Sequence, residues 1–136
     1  MMTEELLDKY CNFHDDYIVR NSIDFENRKT EIIVKSFGLT ENGKFKFYKL
    51  LFEDVELQNF ESFNDLNIIF ALNLYRNYKV FEYCESEYLN KVKGHITSEI
   101  LEKIKKDESL KFYYFVPNWG MHGFIICKNL VISEIE

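Results

Sequence analysis

At 136 residues, with 46% hydrophobic and 29% charged side chains, the chain has the length and apolar content of one globular domain, 1–136, rather than of a disordered segment. A formal charge of -6, from 23 carboxylates against 17 cations, repels phosphate backbones and anionic membrane surfaces, which excludes nucleic acid and membrane as expected partners. The opening Met-Met-Thr-Glu-Glu-Leu-Leu-Asp-Lys puts carboxylates where an export signal needs positive charge, and no apolar run reaches spanning length, so a cytoplasmic location is expected.

Leu6, Leu7, Tyr10, Cys11 and Phe13 recur at helical spacing behind Thr3, a capping residue, with Glu4 and Glu5 set favourably against the helix dipole. This predicts a helix over 4–13. Residues 17–25 alternate in part and carry β-branched side chains, residues 31–37 repeat the pattern, and 44–52 follow the tight turn Glu41-Asn42-Gly43. Three sequential antiparallel strands are expected, with 54–60 extending the sheet. Ser62, with Asp65 three residues on, has the form of a capping box ahead of Leu66, Ile69, Phe70 and Leu74, so a helix is expected between Phe63 and Tyr75, a buried strand being the alternative.

Residues 78–84 read as a strand. Tyr88, Leu89, Val92, Ile96, Ile100, Leu101 and Ile104 then mark a helical stripe over 86–106, with Gly94 its weak point. Apolar residues 110–116, the turn-forming Pro117-Asn118-Trp119-Gly120-Met121-His122-Gly123, and the runs 124–127 and 130–135 give a terminal hairpin with a decorated connection. The expected fold is α+β, an antiparallel sheet of five to seven strands with two or three helices.

Candidate chemistry is sparse. Cys11, Cys84 and Cys127 are odd in number, far apart and without a Cys-x-x-Cys pair, which predicts buried free thiols and neither a disulfide framework nor a metal site. His14, Asp15 and Asp16 form the densest polar cluster and supply the residue types of a general base or metal ligand; the competing reading is an Asp that organises the turn by accepting from backbone amides. Cys11 and His14, three apart, have the spacing of a thiolate and its base, though buried structural cysteines are the commoner case. In the glycine-flanked segment, Asn118, Trp119, Met121 and His122 have the character of interface anchors, against which stands an indole that merely plugs the sheet. Lys91, Lys93, Lys103, Lys105 and Lys106 are interleaved with Glu99 and Glu102, the pattern of a solvated helix face. Glu53, Asp54 and Glu56, the group Glu82, Glu85 and Glu87, and the terminal Glu134 and Glu136 are acidic patches, dispersed charge or sites for a basic partner. No phosphate-binding glycine loop, Gly-x-Ser-x-Gly elbow or His-Glu-x-x-His is present, and no cofactor is implied.

The order Phe13-His14-Asp15, Ile18, paired strands running into Leu51-Phe52-Glu53-Asp54-Val55, and a last strand with a short acidic tail resembles small bacterial immunity proteins of polymorphic toxin systems, the immunity protein fifty type. In that pattern a His-Asp near the N-terminus precedes a strand ladder with a Phe-x-x-Val step. The resemblance covers the first half and the final strands, and implies an α+β protein that neutralises a cognate toxin, or an uncharacterised relative. The leading expectation is a non-enzymatic protein-binding domain that takes a protein partner, a basic toxin in the immunity version. A small-ligand or metal-binding enzyme built on His14, Asp15 and His122 is the alternative, and a homo-oligomeric structural protein pairing through its C-terminal strand the third.

Overall fold

The computed structural model describes residues 3–39 and 42–135. Alternation of apolar and polar side chains from Tyr17 onward builds the expected meander of β1 (Tyr17–Asp24), β2 (Lys29–Leu39) and β3 (Phe45–Glu53). Their inward residues Ile32, Val34, Leu50 and Phe52 are fully buried. Gly43 takes φ +71° in the β2–β3 connection; Thr40 and Glu41, of which the second belongs to the expected turn, lie outside the described residues, as does Glu136 of the acidic tail.

The expected N-terminal helix is shorter than its apolar spacing suggests. Helix α1 is Thr3–Lys9, and a separate turn, Cys11–Phe13, follows it; the side chain of Thr3, the expected cap, lies outside the described part. Cys11, Asn12 and Phe13 have φ of 51°, 52° and 58°, a left-handed turn that no helix can continue. Such residues each cost about 1–2 kcal/mol, offset here by the full burial of Phe13 and its stacking on Tyr10 at 5.4 Å.

Among the described residues, eight strands and four α-helices replace the five to seven strands and two or three helices expected. β4 is Leu57–Glu61. The segment expected as a helix between Phe63 and Tyr75 is a loop followed by β5 (Ile68–Tyr75). Bulges on either side of Ile69 break the period of two, so the buried Ile69 and Leu72 fall three apart, a helical spacing, while Phe70 is 47% exposed. Residues 78–84, expected as a strand, are instead α2 (Tyr78–Cys84): Asn77 Oδ1 accepts from the Val80 amide at 3.0 Å, and Tyr78 and Phe81 present one buried face. The expected long helix is α3 (Ser86–Val92), a tight turn around Gly94, and α4 (Ser98–Lys106), restarted by Thr97 Oγ1 accepting from the Ile100 amide at 3.3 Å.

β6 (Lys111–Trp119) runs straight through Pro117, and the connection to β7 (His122–Cys127) is only Gly120 and Met121. The expected terminal hairpin therefore pairs β6 with β7, whereas β8 (Asn129–Ile135) leaves β7 after the single residue Lys128 and pairs with β3.

The strand order β4-β7-β6-β5-β1-β2-β3-β8 divides at β5–β1, where Tyr17 with Ile68 is the only register pair among the described residues. At the other corner β3 runs into β4 and β7 into β8, and backbone bonds from Val55 to Arg28, Glu56 to Ile126 and Lys128 to Glu53 carry the ladder across. The sheet thus folds over on itself, with Phe52 of β3 meeting Tyr113 and Phe115 of β6 at ring distances of 5.3 and 6.1 Å. Helices α2 to α4 cover the outer side of β6 and β7, where Phe81 stacks on Phe112 at 5.2 Å. Strands β6 and β7 are buried on both faces, which is why they read as unbroken apolar runs while β1 to β3 alternate.

β4 and β7 approach so closely at Gly123 (φ +151°) that a Cβ there would lie 2.0 Å from the Asn59 carbonyl oxygen. Gly123→Ala is expected to lower stability by about 3 kcal/mol or more, read as a shift of the urea midpoint; a wild-type midpoint would show that these strands do not meet as described.

Candidate functional site

The polar cluster after α1 is held at the β1–β5 corner. The Asp15 amide donates to the Ile69 carbonyl at 2.7 Å and the Ile69 amide to the Asp16 carbonyl at 2.9 Å, so the bulged start of β5 grips the entrance to β1. His14 Nδ1–H donates to the Phe70 carbonyl at 2.6 Å, and Nε2 lies 3.3 Å from Asp15 Oδ2. Asn118, 103 positions along the chain, donates to the other Asp15 oxygen at 3.0 Å. Two segments singled out in the sequence therefore meet. Asp16 takes the turn-organising part: its Oδ1 accepts from the Phe37 amide at 2.9 Å. Burial raises its carboxyl above the ordinary value of 3.8, and Asp15 adds to the rise, while the Phe37 amide and His14 oppose it. His14 points both ring nitrogens at partners other than Cys11, so no thiolate–imidazole dyad forms.

The β6–β7 connection separates the remaining candidates by strand alternation. Trp119 is 59% exposed, and Met121, expected as a contact residue, is buried in the core beneath the β-sheet. His122 faces the helical side, its Nε2 2.8 Å from Glu61 Oε1 and its ring edge-on to Tyr88 at 5.4 Å. It lines a cavity with Tyr88 and Tyr114 that His14 does not line. His14 and Asp15 pair with each other, while His122 takes Glu61 as its partner.

Asn67, absent from the sequence candidates, ties this surface together. Its side chain accepts from the Met121 amide at 2.8 Å and from the Asn64 amide at 3.1 Å, donates to the Asn64 carbonyl at 2.9 Å, and its own carbonyl accepts from the Ile18 amide at 2.8 Å. Loop 62–67 is thereby pinned both to β1 and to the Trp119 turn, and a Cβ on Gly120 would strike Asn67 Oδ1 at 2.4 Å. The Asn pair three residues apart, with the turn chemistry of its neighbours, was the available signal.

Between this loop and the ends of β1, β2 and β3 lies a groove of about 600 Å³, lined in part by Val19, Phe37, Phe45, Leu66, Lys35 and Asp65. Four of these are apolar and open to solvent, Phe37 at 62%, Val19 at 50%, Leu66 at 47% and Phe45 at 41%. Lys35 Nζ sits 4.0 Å over the Phe45 ring, which keeps its charge on the rim. Elsewhere, Lys103 pairs with Glu56, Lys93 with Glu82 and Lys105 with Glu102, the solvated lysine face expected. Among the described residues no group of three or more His, Cys, Asp or Glu is placed to hold a metal, and no helix is long and apolar enough to cross a membrane. Neither protein-family models, nor curated proteins, nor solved structures give a match to this chain.

The Asp16 carboxyl keeps its proton to higher pH in the folded than in the unfolded chain, so this group makes the fold less stable as pH rises from 3.8 through its raised folded value. Asp16→Asn keeps the acceptor for Phe37 and should hold or raise the melting temperature at pH 7, flattening its pH dependence in that acidic range; a large fall at pH 7 would show that the charge itself is needed. The thiols, expected to be buried, divide: Cys11 and Cys84 are exposed, and burial pushes the Cys127 thiol up to about 12. An aromatic disulfide reagent at pH 8 should label the two exposed thiols of the native protein and the third only in denaturant; three fast reactions in the native state would contradict the buried position of Cys127.

Proposed function

We propose that this chain is a non-enzymatic protein-binding domain whose contact surface is the groove between loop 62–67 and the ends of β1 to β3, and that it serves as an immunity protein for a basic toxin. The observation that carries the reading is the solvent-open cluster of Val19, Phe37, Phe45 and Leu66, four large apolar side chains around one concavity. Apolar surface gathered in this way favours a partner over water, and planar side chains on a pinned scaffold lose little entropy when covered. The net charge of -6 supplies long-range attraction for a basic partner, with Asp65 in the groove and Asp15 and Asp16 behind it. Trp119 extends the surface past the loop, consistent with the anchor role its residue type suggests. The cytoplasm is where such a protein would meet an incoming or self-made toxin.

Co-expression with the product of the neighbouring open reading frame tests this reading. The expected result is a complex that survives purification and rescues growth, with the emission of the sole tryptophan shifting to the blue on binding. Phe37→Ala should weaken the complex by about tenfold or more, and Phe25→Ala, in the turn that follows β1 and 82% exposed, should leave it unchanged. A neighbour that is harmless by itself, or equal affinity of the two variants, rules the reading out.

A further inference from the structure

The β2–β3 connection carries the chain's only Asn-Gly step, Asn42-Gly43, which the function proposed above leaves unused. We propose that this step is a self-modifying site, at which the folded chain converts Asn42 into aspartate and isoaspartate without an enzyme. The reaction needs the backbone nitrogen after an asparagine to reach that asparagine's own side-chain carbon. It therefore needs an amide that no hydrogen bond holds, a following residue that does not crowd the nitrogen, and a backbone free to turn.

The structure supplies all three at this position. β2 ends at Leu39 and β3 begins at Phe45, and these two residues form the last register pair of the hairpin, so Asn42 and Gly43 lie off the ladder. Both are exposed, the Asn42 side chain makes no hydrogen bond among the described residues, and the Gly43 amide donates to no carbonyl there. Gly43 has φ +71°, which costs a glycine nothing, and even an added Cβ would meet no atom within 4 Å. Other asparagines are held: Asn27 donates to Asp24, Asn77 caps α2, Asn118 donates to Asp15 and Asn129 to Glu53. Each of these also precedes a residue that carries a side chain.

The Gly43 amide nitrogen gives up its proton and bonds to Asn42 Cγ. The bond from Cγ to Nδ2 breaks, and Nδ2 leaves as ammonia with that proton. The resulting five-membered imide takes up one water. Opening at Cγ yields aspartate, and opening at the α-carbonyl yields isoaspartate, in which the main chain runs through the former side chain. Nothing is oxidised or reduced, and one unit of negative charge is added to the net -6. Below the site, the Lys46 amide donates to Ser36 Oγ at 3.0 Å and the Ser36 hydroxyl to the Gly38 carbonyl at 2.9 Å, so the base of the hairpin is clamped and the modified chain keeps its fold. The new carboxylate stands close in sequence to Phe45, a wall of the groove. Stronger attraction of a basic partner is a consequence that rests on the function proposed above; the conversion itself does not depend on it.

The test is to hold the purified full chain at neutral and at mildly alkaline pH, with the isolated peptide from Ser36 to Lys44 beside it, and to follow both by peptide mass mapping and anion exchange. The expected result is a gain of one mass unit confined to Asn42, nearly as fast in the folded chain as in the peptide and faster at the higher pH. The more acidic product should elute with Asn42→Asp and melt with the starting protein. Gly43→Ala, an exposed change with open space around it, should suppress the gain. A folded chain that stays unmodified while the peptide converts, a gain that maps to another asparagine, or an undiminished gain in Gly43→Ala overturns the proposal.

Discussion

The packing of Phe52 against Tyr113 and Phe115 is the contact on which the architecture depends. An eight-stranded antiparallel sheet of this size, left open, would expose one complete apolar face; folding it over buries that face against itself. Each fully buried aromatic of this kind contributes about 1.5–3 kcal/mol by removal from water, so the central trio outweighs the backbone strain collected at Cys11 to Phe13. The same closure forces the two corners. At one, β3 and β7 each carry on into a second strand; at the other, the bridge between Tyr17 and Ile68 leaves the strands splayed. The groove opens at that splayed corner, walled by the loop that Asn67 pins.

Burial of β6 and β7 on both faces is the second consequence. Once Tyr113, Phe115 and Ile125 are committed to the inside, Phe112, Tyr114, Phe124 and Ile126 need a cover, and α2 to α4 supply it. Where that cover ends, beyond α3, Tyr114 is left beneath carboxylates. The groove at the ends of β1 to β3 and the concavity beside α3 differ in chemistry, the first rimmed by apolar side chains and the second by acids and phenols. His14 takes its partners from β5 and Asp15, and His122 takes Glu61 and Tyr88 on the helical side.

The class α+β, the meander of β1 to β3, the weak point at Gly94 and the restart of the sheet after His122 were legible because alternation and turn chemistry are local. β5 was hidden by its bulges, which gave Ile69 and Leu72 a helical spacing, and α2 by the β-propensity of Tyr78, Val80 and Phe81, overridden by one capping asparagine. Of the site residues, the segments 14–16 and 118–122 stood out by composition, but the bond from Asn118 to Asp15 spans 103 positions and only the folded chain reveals it. Met121 was misassigned to the surface because residue type says nothing of which side of a two-residue turn faces the core.

Closure of the sheet through facing aromatics is most directly measured by ring-to-ring nuclear Overhauser effects in protein labelled at Phe and Tyr. Cross-peaks from Phe52 to both Tyr113 and Phe115 are expected, since the ring centres are 5.3 and 6.1 Å apart. A spectrum in which the Phe52 ring contacts only residues of β2, β3 and β8 would mean an open sheet, and with it neither the groove nor the phenolic cavity would have its walls.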